Sequence, residues 1–169
     1  PEYVPYYLSG IKTSMPINDK FNFNFYLLNG WQEISERSKG KAIGTQIEYR
    51  PNNKWLLNWN TYTGHERSAI NPDWSYRFFT DFYFIYVNND FSMTSCAYIG
   101  WQQRDNLQTA NWWQINAIAR YRLTDKHAVS YRVEYFKDED EMVAQSITST
   151  LGFKTFSSSA GWDYQIANN

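Results

Sequence analysis

The chain has 169 residues, and its 8 Trp, 14 Tyr and 11 Phe outnumber Leu, Ile and Val together. A formal net charge of -1 gives bulk electrostatics no case for nucleic-acid binding, and a mean hydropathy of -0.65 with no uncharged apolar run near ~18 residues excludes helical membrane spans. The aromatic content excludes a disordered chain, and the lone Cys96, with no zinc-like Cys/His spacing, excludes an internal disulfide and a structural zinc site.

In chain order, apolar and polar side chains alternate in about nine segments of roughly ten residues, separated by turn-forming clusters. A first strand is predicted over 6–15. Next, Phe21, Phe23, Phe25 and Leu27 alternate with Asn22, Asn24, Tyr26 and Leu28. In the third segment Ile43, Thr45, Ile47 and Tyr49 alternate with Gly44, Gln46, Glu48 and Arg50. Strands follow over 55–63 and over 76–87, where Tyr76, Phe78, Phe82, Phe84 and Tyr86 oppose Arg77 and Asp81. Further strands are read over 91–102, with Thr94, Cys96 and Tyr98 on the polar face, and over 112–123, where Trp113, Ile115, Ala117, Ala119 and Tyr121 oppose Gln114, Asn116, Arg120 and Arg122. In the eighth, Val129, Tyr131, Val133 and Tyr135 oppose Ser130, Arg132, Glu134 and Phe136. A ninth, over 153–166, is blurred by the serines at 157–159. No stretch keeps a helical period, so the chain is all-β.

The links alternate in length. Short turns fall at 16–19, 51–53, 88–90 and 124–126, and longer polar links at 33–40, 64–75, 103–111 and 137–152. An antiparallel up-and-down meander follows, with tight turns at one end and large loops at the other, as in outer-membrane barrels. Periodicity alone does not say which face meets apolar solvent, and a soluble lipocalin-like barrel binding an apolar ligand stays open. Three features favour a membrane barrel: strand length, aromatics near segment ends (Tyr6, Tyr7, Trp31, Trp55, Trp74, Tyr76, Trp101, Trp112, Trp113, Tyr135) where they suit an interfacial girdle, and a polar face of Asn, Gln, Gly and opposed charges that suits a wet lumen.

The residues then point to a family. The run 5–12 (PYYLSGIK), then Asn18-Asp19-Lys20 leading to Leu27-Leu28-Asn29-Gly30-Trp31-Gln32, resembles the OmpL-like outer-membrane β-barrel porins. The resemblance continues through 44–54 (GTQIEYRPNNK), 77–83 (RFFTDFY), 123–126 (LTDK), 132–136 (RVEYF) and 152–155 (GFKT), with departures mainly in the long loops. It implies a pore for small hydrophilic solutes in the bacterial outer membrane, with the lipid bilayer as partner and a homo-oligomer or larger membrane complex left open. Such family members carry further strands on both sides of the matched region. Parity agrees, since a closed barrel with both ends on one side needs an even strand count. Residues 1–169 are therefore expected to be one barrel domain, incomplete at both ends, with 167–169 forming another short turn.

The predicted pore lining is Lys12, Glu48, Arg50, Arg77, Asp81, Arg120, Arg122, Arg132, Glu134 and Asp163, with Arg120, Arg122, Arg132 and Glu134 expected to form an Arg-carboxylate ladder. A barrel hydrolase would need a rim site, and the one local candidate is His65-Glu66 with Ser68 and Asp73. His127, after a short turn, reads as a surface residue and Cys96 as a small filler. No catalytic, metal or cofactor motif is assigned.

Overall fold

The structure is a computed structural model and describes residues 4–35, 40–144 and 152–166. Nine antiparallel strands form one sheet in which every strand pairs with its sequence neighbours: β1 (Gly10–Pro16), β2 (Phe21–Leu28), β3 (Ala42–Asn52), β4 (Trp55–His65), β5 (Trp74–Val87), β6 (Phe91–Arg104), β7 (Ala110–Arg122), β8 (His127–Asp138) and β9 (Phe153–Tyr164). Among the described residues β1 and β9 do not pair with each other, so the sheet keeps two edges. The turn expected at 167–169 lies outside the described residues.

The predicted strands are all present, with one correction at the start. The first begins at Gly10 rather than Tyr6, because the preceding segment is held by a loop instead of a strand. The Tyr6 amide donates to Gln32 Oε1 (3.2 Å) and the Tyr7 hydroxyl donates to the Gln32 carbonyl (2.7 Å). The turns are closed by short side chains: Asn18 Oδ1 accepts from the amides of Lys20 and Phe21, Asn88 Oδ1 from those of Asp90 and Phe91, and Thr124 Oγ1 from those of Lys126 and His127.

Pairing registers carry the two-residue period across the whole sheet. One row runs Asn22, Glu48, Asn58, Tyr83, Cys96, Asn116, Glu134, Ser157; the next runs Asn24, Gln46, Asn60, Asp81, Tyr98, Gln114, Phe136, Thr155. These rows share one face, which is covered over its middle: Asn24, Asn58 and Gln114 are each 1% exposed and Phe136 is 0% exposed. The opposite face is bare. Phe25, Ile47, Trp59, Phe78, Phe82, Ile115 and Tyr131 all lie on it and are exposed. A sheet that buries its polar face and presents its apolar one is curled with amides inside, the inverse of a soluble barrel.

Several polar side chains on the outer face bond within the wall. Thr45 and Thr61 share a hydrogen bond of 2.6 Å, the Trp59 indole donates to Thr80 Oγ1 (2.8 Å), which donates onward to the Asn60 carbonyl, and the Ser95 hydroxyl donates to the Asn116 carbonyl (2.7 Å). Such bonds suit a hydrocarbon environment, which supplies no partner for an orphaned donor. Aromatics bracket the outer face. Toward the turns, Phe21 stacks on Tyr49 with centroids 4.2 Å apart, Trp55 sits 4.6 Å from Tyr86, and Trp162 stacks on His127. Toward the long loops, Tyr76 contacts His65 and Phe78, and Trp113 contacts Tyr135. Tyr76 and Tyr86 begin and end the outward row of β5. Their separation is about 33 Å of strand, which at the ~40° tilt of a membrane barrel projects to about 25 Å, the height of an outer-membrane apolar band.

Candidate functional site

The inner face at the long-loop end is built around Trp31, which comes from the β2–β3 loop and not from a strand. Gly30 (φ +149°) and Gln32 (φ +57°) flank it in positive-φ conformations, turning the chain back so that the indole enters the curl of the sheet. The Asn29 side chain ties the loop together, donating to the Ile34 carbonyl (2.6 Å) and accepting from Lys41 Nζ (3.0 Å). Inside, Trp31 is 8% exposed. It meets Tyr62 of β4 at 5.2 Å, Phe79 of β5 at 5.1 Å and Trp112 of β7 at 6.2 Å, each edge to face.

Arg77 of β5 lies under the same indole. Its guanidinium carbon is 5.0 Å from the ring centroid of Trp31, 4.9 Å from that of Trp74 and 5.2 Å from that of Trp112, and Nε donates to Gln102 Oε1 (2.9 Å). A desolvated cation over an indole gains about 2 kcal/mol per good contact, so three rings offset much of the cost of burying this charge. Two carboxylates act on it electrostatically, Glu66 and Asp138. Glu66 accepts a 2.5 Å hydrogen bond from the Tyr62 hydroxyl. Asp138, fully buried at the end of β8, accepts from the backbone amides of Met142, Val143 and Ala144 at 2.9, 2.9 and 3.0 Å, which folds the start of the β8–β9 loop inward.

Two cavities adjoin this cluster, and Trp31 lines both. The inner one, about 320 Å³, lies over the Tyr26–Asp81 stretch of the wall and is bordered by Tyr62, Phe79 and Asn60. The outer one, about 450 Å³, opens toward the long loops and is bordered by Gln32, Glu66, Ser68, Asn71 and Arg77.

All ten residues predicted to line a pore lie on the inner face by register or by same-face contact. The structure does not gather them into one array. Lys12 sits 5.6 Å above the Tyr26 ring, Arg50 Nε donates to Glu48 (3.0 Å), and Asp81 accepts from Asn60 Nδ2 (2.8 Å). Asp81 and Arg77 share a strand, but Arg77 is turned to the Trp cluster. The predicted ladder resolves into separate pairs: Arg132 with Glu134 at 2.5 Å, Arg120 with Asp163 at 3.1 Å, and Arg122 with Asp90 of the β5–β6 turn at 2.9 Å. Arg120 reaches across β8 to β9 because the inward residues between them, Ala128, Ser130 and Gly161, are small.

Three aromatics placed by their strand-end positions in an interfacial girdle belong elsewhere. Trp31, Trp74 and Trp112 enclose Arg77 on the inner side. The rim constellation is also dispersed. His65 faces outward against Tyr76 while Glu66 is buried against Tyr62, and Ser68 Oγ accepts from the Asn71 amide. His127 is held on the outer face between Trp162, whose indole donates to Nδ1 (3.2 Å), and Tyr164. Cys96 is buried on the inner face beside the inner cavity. Among the described residues no three His, Cys, Asp or Glu side chains group as a metal site would require.

No curated protein matches the chain. Among solved structures, that of the NanC porin superposes with a TM-score of 0.50 at 12% identity, covering 92% of this chain and 76% of that one, a likeness of fold alone. The family model described as "Putative beta-barrel porin-2, OmpL-like" matches residues 2–169. With its apolar face outward, its polar rows inward and a family match along nearly all its length, the chain belongs to the OmpL-like β-barrel porins.

Proposed function

We propose that this chain forms part of the wall of a bacterial outer-membrane channel through which small hydrophilic solutes diffuse passively. The observation that carries the reading is the inverted sheet: exposed Phe25, Trp59 and Phe82 outside, buried Asn24, Asn58 and Gln114 inside. Amide side chains such as Asn58 and Gln114 on the inner face are unsuited to lipid, which would leave their polar groups without partners. The same inversion disfavours a lipocalin-like carrier, whose apolar face would turn inward.

Lysine, arginine and carboxylate side chains on that face would tune which ions and solutes pass. Further strands of the same protein would pair with β1 and β9, because an unpaired edge in hydrocarbon leaves a row of unsatisfied amides and carbonyls. Lipid and the diffusing solute are the partners this reading requires. It makes the protein a channel and not a hydrolase, in line with His65 and Glu66 pointing to opposite faces.

The test is reconstitution of the full-length protein into planar bilayers and liposomes. Stepwise ohmic conductance and swelling of liposomes in small sugars are the expected results. Absence of both, with the protein inserted, would refute the proposal.

A further inference from the structure

We propose that Trp31 is the constriction of this channel: a single indole, carried by the β2–β3 loop and seated on Arg77, that divides the passage and sets its solute size limit. The inference rests on the diffusion-channel reading above and adds to it the residue that limits flow. Four observations support it. Trp31 lines both the inner cavity and the outer one, with Val4 the other residue common to the two, so its ring stands at the boundary between them. Its contacts come from three separate strands, Tyr62, Phe79 and Trp112, so it stands inward of the wall. The seat is built for it: Gly30 and Gln32 bend the loop inward at positive φ, and the Arg77 guanidinium lies 5.0 Å from the ring. Finally, Gln32 is fastened by Tyr6 and Tyr7, so the wedge is braced from behind.

Removing Trp31 leaves the ladder untouched, since it belongs to no strand, and takes away the largest side chain that borders both cavities. Arg77 acts through it as a positioning residue, holding the indole by cation–π attraction.

The experiment compares wild type, Trp31→Ala, Trp31→Phe, Arg77→Met and an outer-face control, Trp162→Ala, in the full-length protein. Folding of each is checked by heat-modifiable electrophoretic mobility, and each is then assayed by single-channel conductance and by liposome swelling with saccharides of increasing size. Trp31→Ala should raise conductance at least about twofold and admit larger saccharides, Trp31→Phe and Arg77→Met should fall between it and wild type, and Trp162→Ala should match wild type.

A conducting wild type with an unchanged Trp31→Ala overturns the constriction and leaves the channel reading standing. Silence in wild type with conductance in Trp31→Ala supports both. Silence in both overturns both. Should Trp31→Ala not fold, Trp31→Phe decides alone, and conductance at or below wild type overturns the proposal.

Discussion

Trp112 lies flat across the backbone of its cross-strand partner Gly100, so close that a Cβ built on Gly100 would sit 2.1 Å from the indole Cζ2. Glycine is required here by space, since no side chain fits beneath the ring. Gly100→Ala should therefore displace Trp112, disturb the Trp31 and Arg77 contacts, and cost about 1–3 kcal/mol as an overpacked site does. Unfolding from detergent or bilayers by denaturant measures this. The double variant with Trp112→Ala should recover part of the loss, whereas additive losses would refute the clash.

Adjacent residues of β5 face opposite solvents. Phe82→Arg should destabilise the inserted protein by about 2–4 kcal/mol, as a charge does at the lipid midplane of a barrel. Asp81→Asn, one residue away, should change stability by less than about 1 kcal/mol, because its neighbour Asn60 can still donate to the amide oxygen. Equal effects at both sites would contradict the facing assigned here.

At the turn end of the lumen, Arg120 and Arg122 neutralise Asp163 and Asp90. Replacing both arginines with glutamine leaves the two carboxylates unbalanced, so permeability should shift toward cations, read as tens of millivolts of reversal potential under a tenfold salt gradient. Stability should hardly move, since solvent-exposed pairs contribute about 0–1 kcal/mol each. Unchanged selectivity would assign these pairs a purely structural role.

Lys137 and Lys154 are directly opposed on β8 and β9, and Glu139 bridges them at 2.9 and 2.6 Å. These two ammonium groups hold the Glu139 carboxyl below its ordinary carboxylate value. A depressed folded pKa contributes stability that is present above the ordinary carboxylate range and lost as pH falls through the depressed value. Unfolding midpoints measured from neutral pH down through the carboxylate range should drop less in Glu139→Gln than in wild type. The difference should shrink in high salt because the cluster is exposed.

Asp138 supplies both oxygens to three successive loop amides. Asp138→Ala should cost about 1–3 kcal/mol by orphaning buried donors, and hydrogen exchange at the Met142, Val143 and Ala144 amides should accelerate. Protection equal to wild type there would show that the loop is held by other contacts.

The wall was legible in the sequence because period two and turn chemistry are local: Phe21 to Leu28 alternates in writing as it does in the sheet, and Asn18, Asn88 and Thr124 mark their turns unaided. The inner face was legible too, since facing follows from parity once one residue is placed. Contacts between distant segments were not. Nothing local separates Trp31, turned inward, from Trp55 on the outer face, since both stand near strand ends; parity puts Trp112 on the Gln114 side and Trp113 opposite, but not Trp112 beside Arg77. The difference comes from Gly30 and Gln32 bending a loop and from Gly100 leaving room opposite Trp112. The Arg120–Asp163 pair likewise depended on small residues of the next two strands.

Every ladder in this sheet joins strands that are neighbours in sequence, so each hairpin can pair as soon as it meets the membrane. Trp31 cannot: its partners sit on β4, β5 and β7, and it finds them only after the sheet has curled. It is thus a latch set at the end of assembly. Loss of its ring should leave the folding rate almost unchanged and speed unfolding, making the indole a source of kinetic persistence in the membrane.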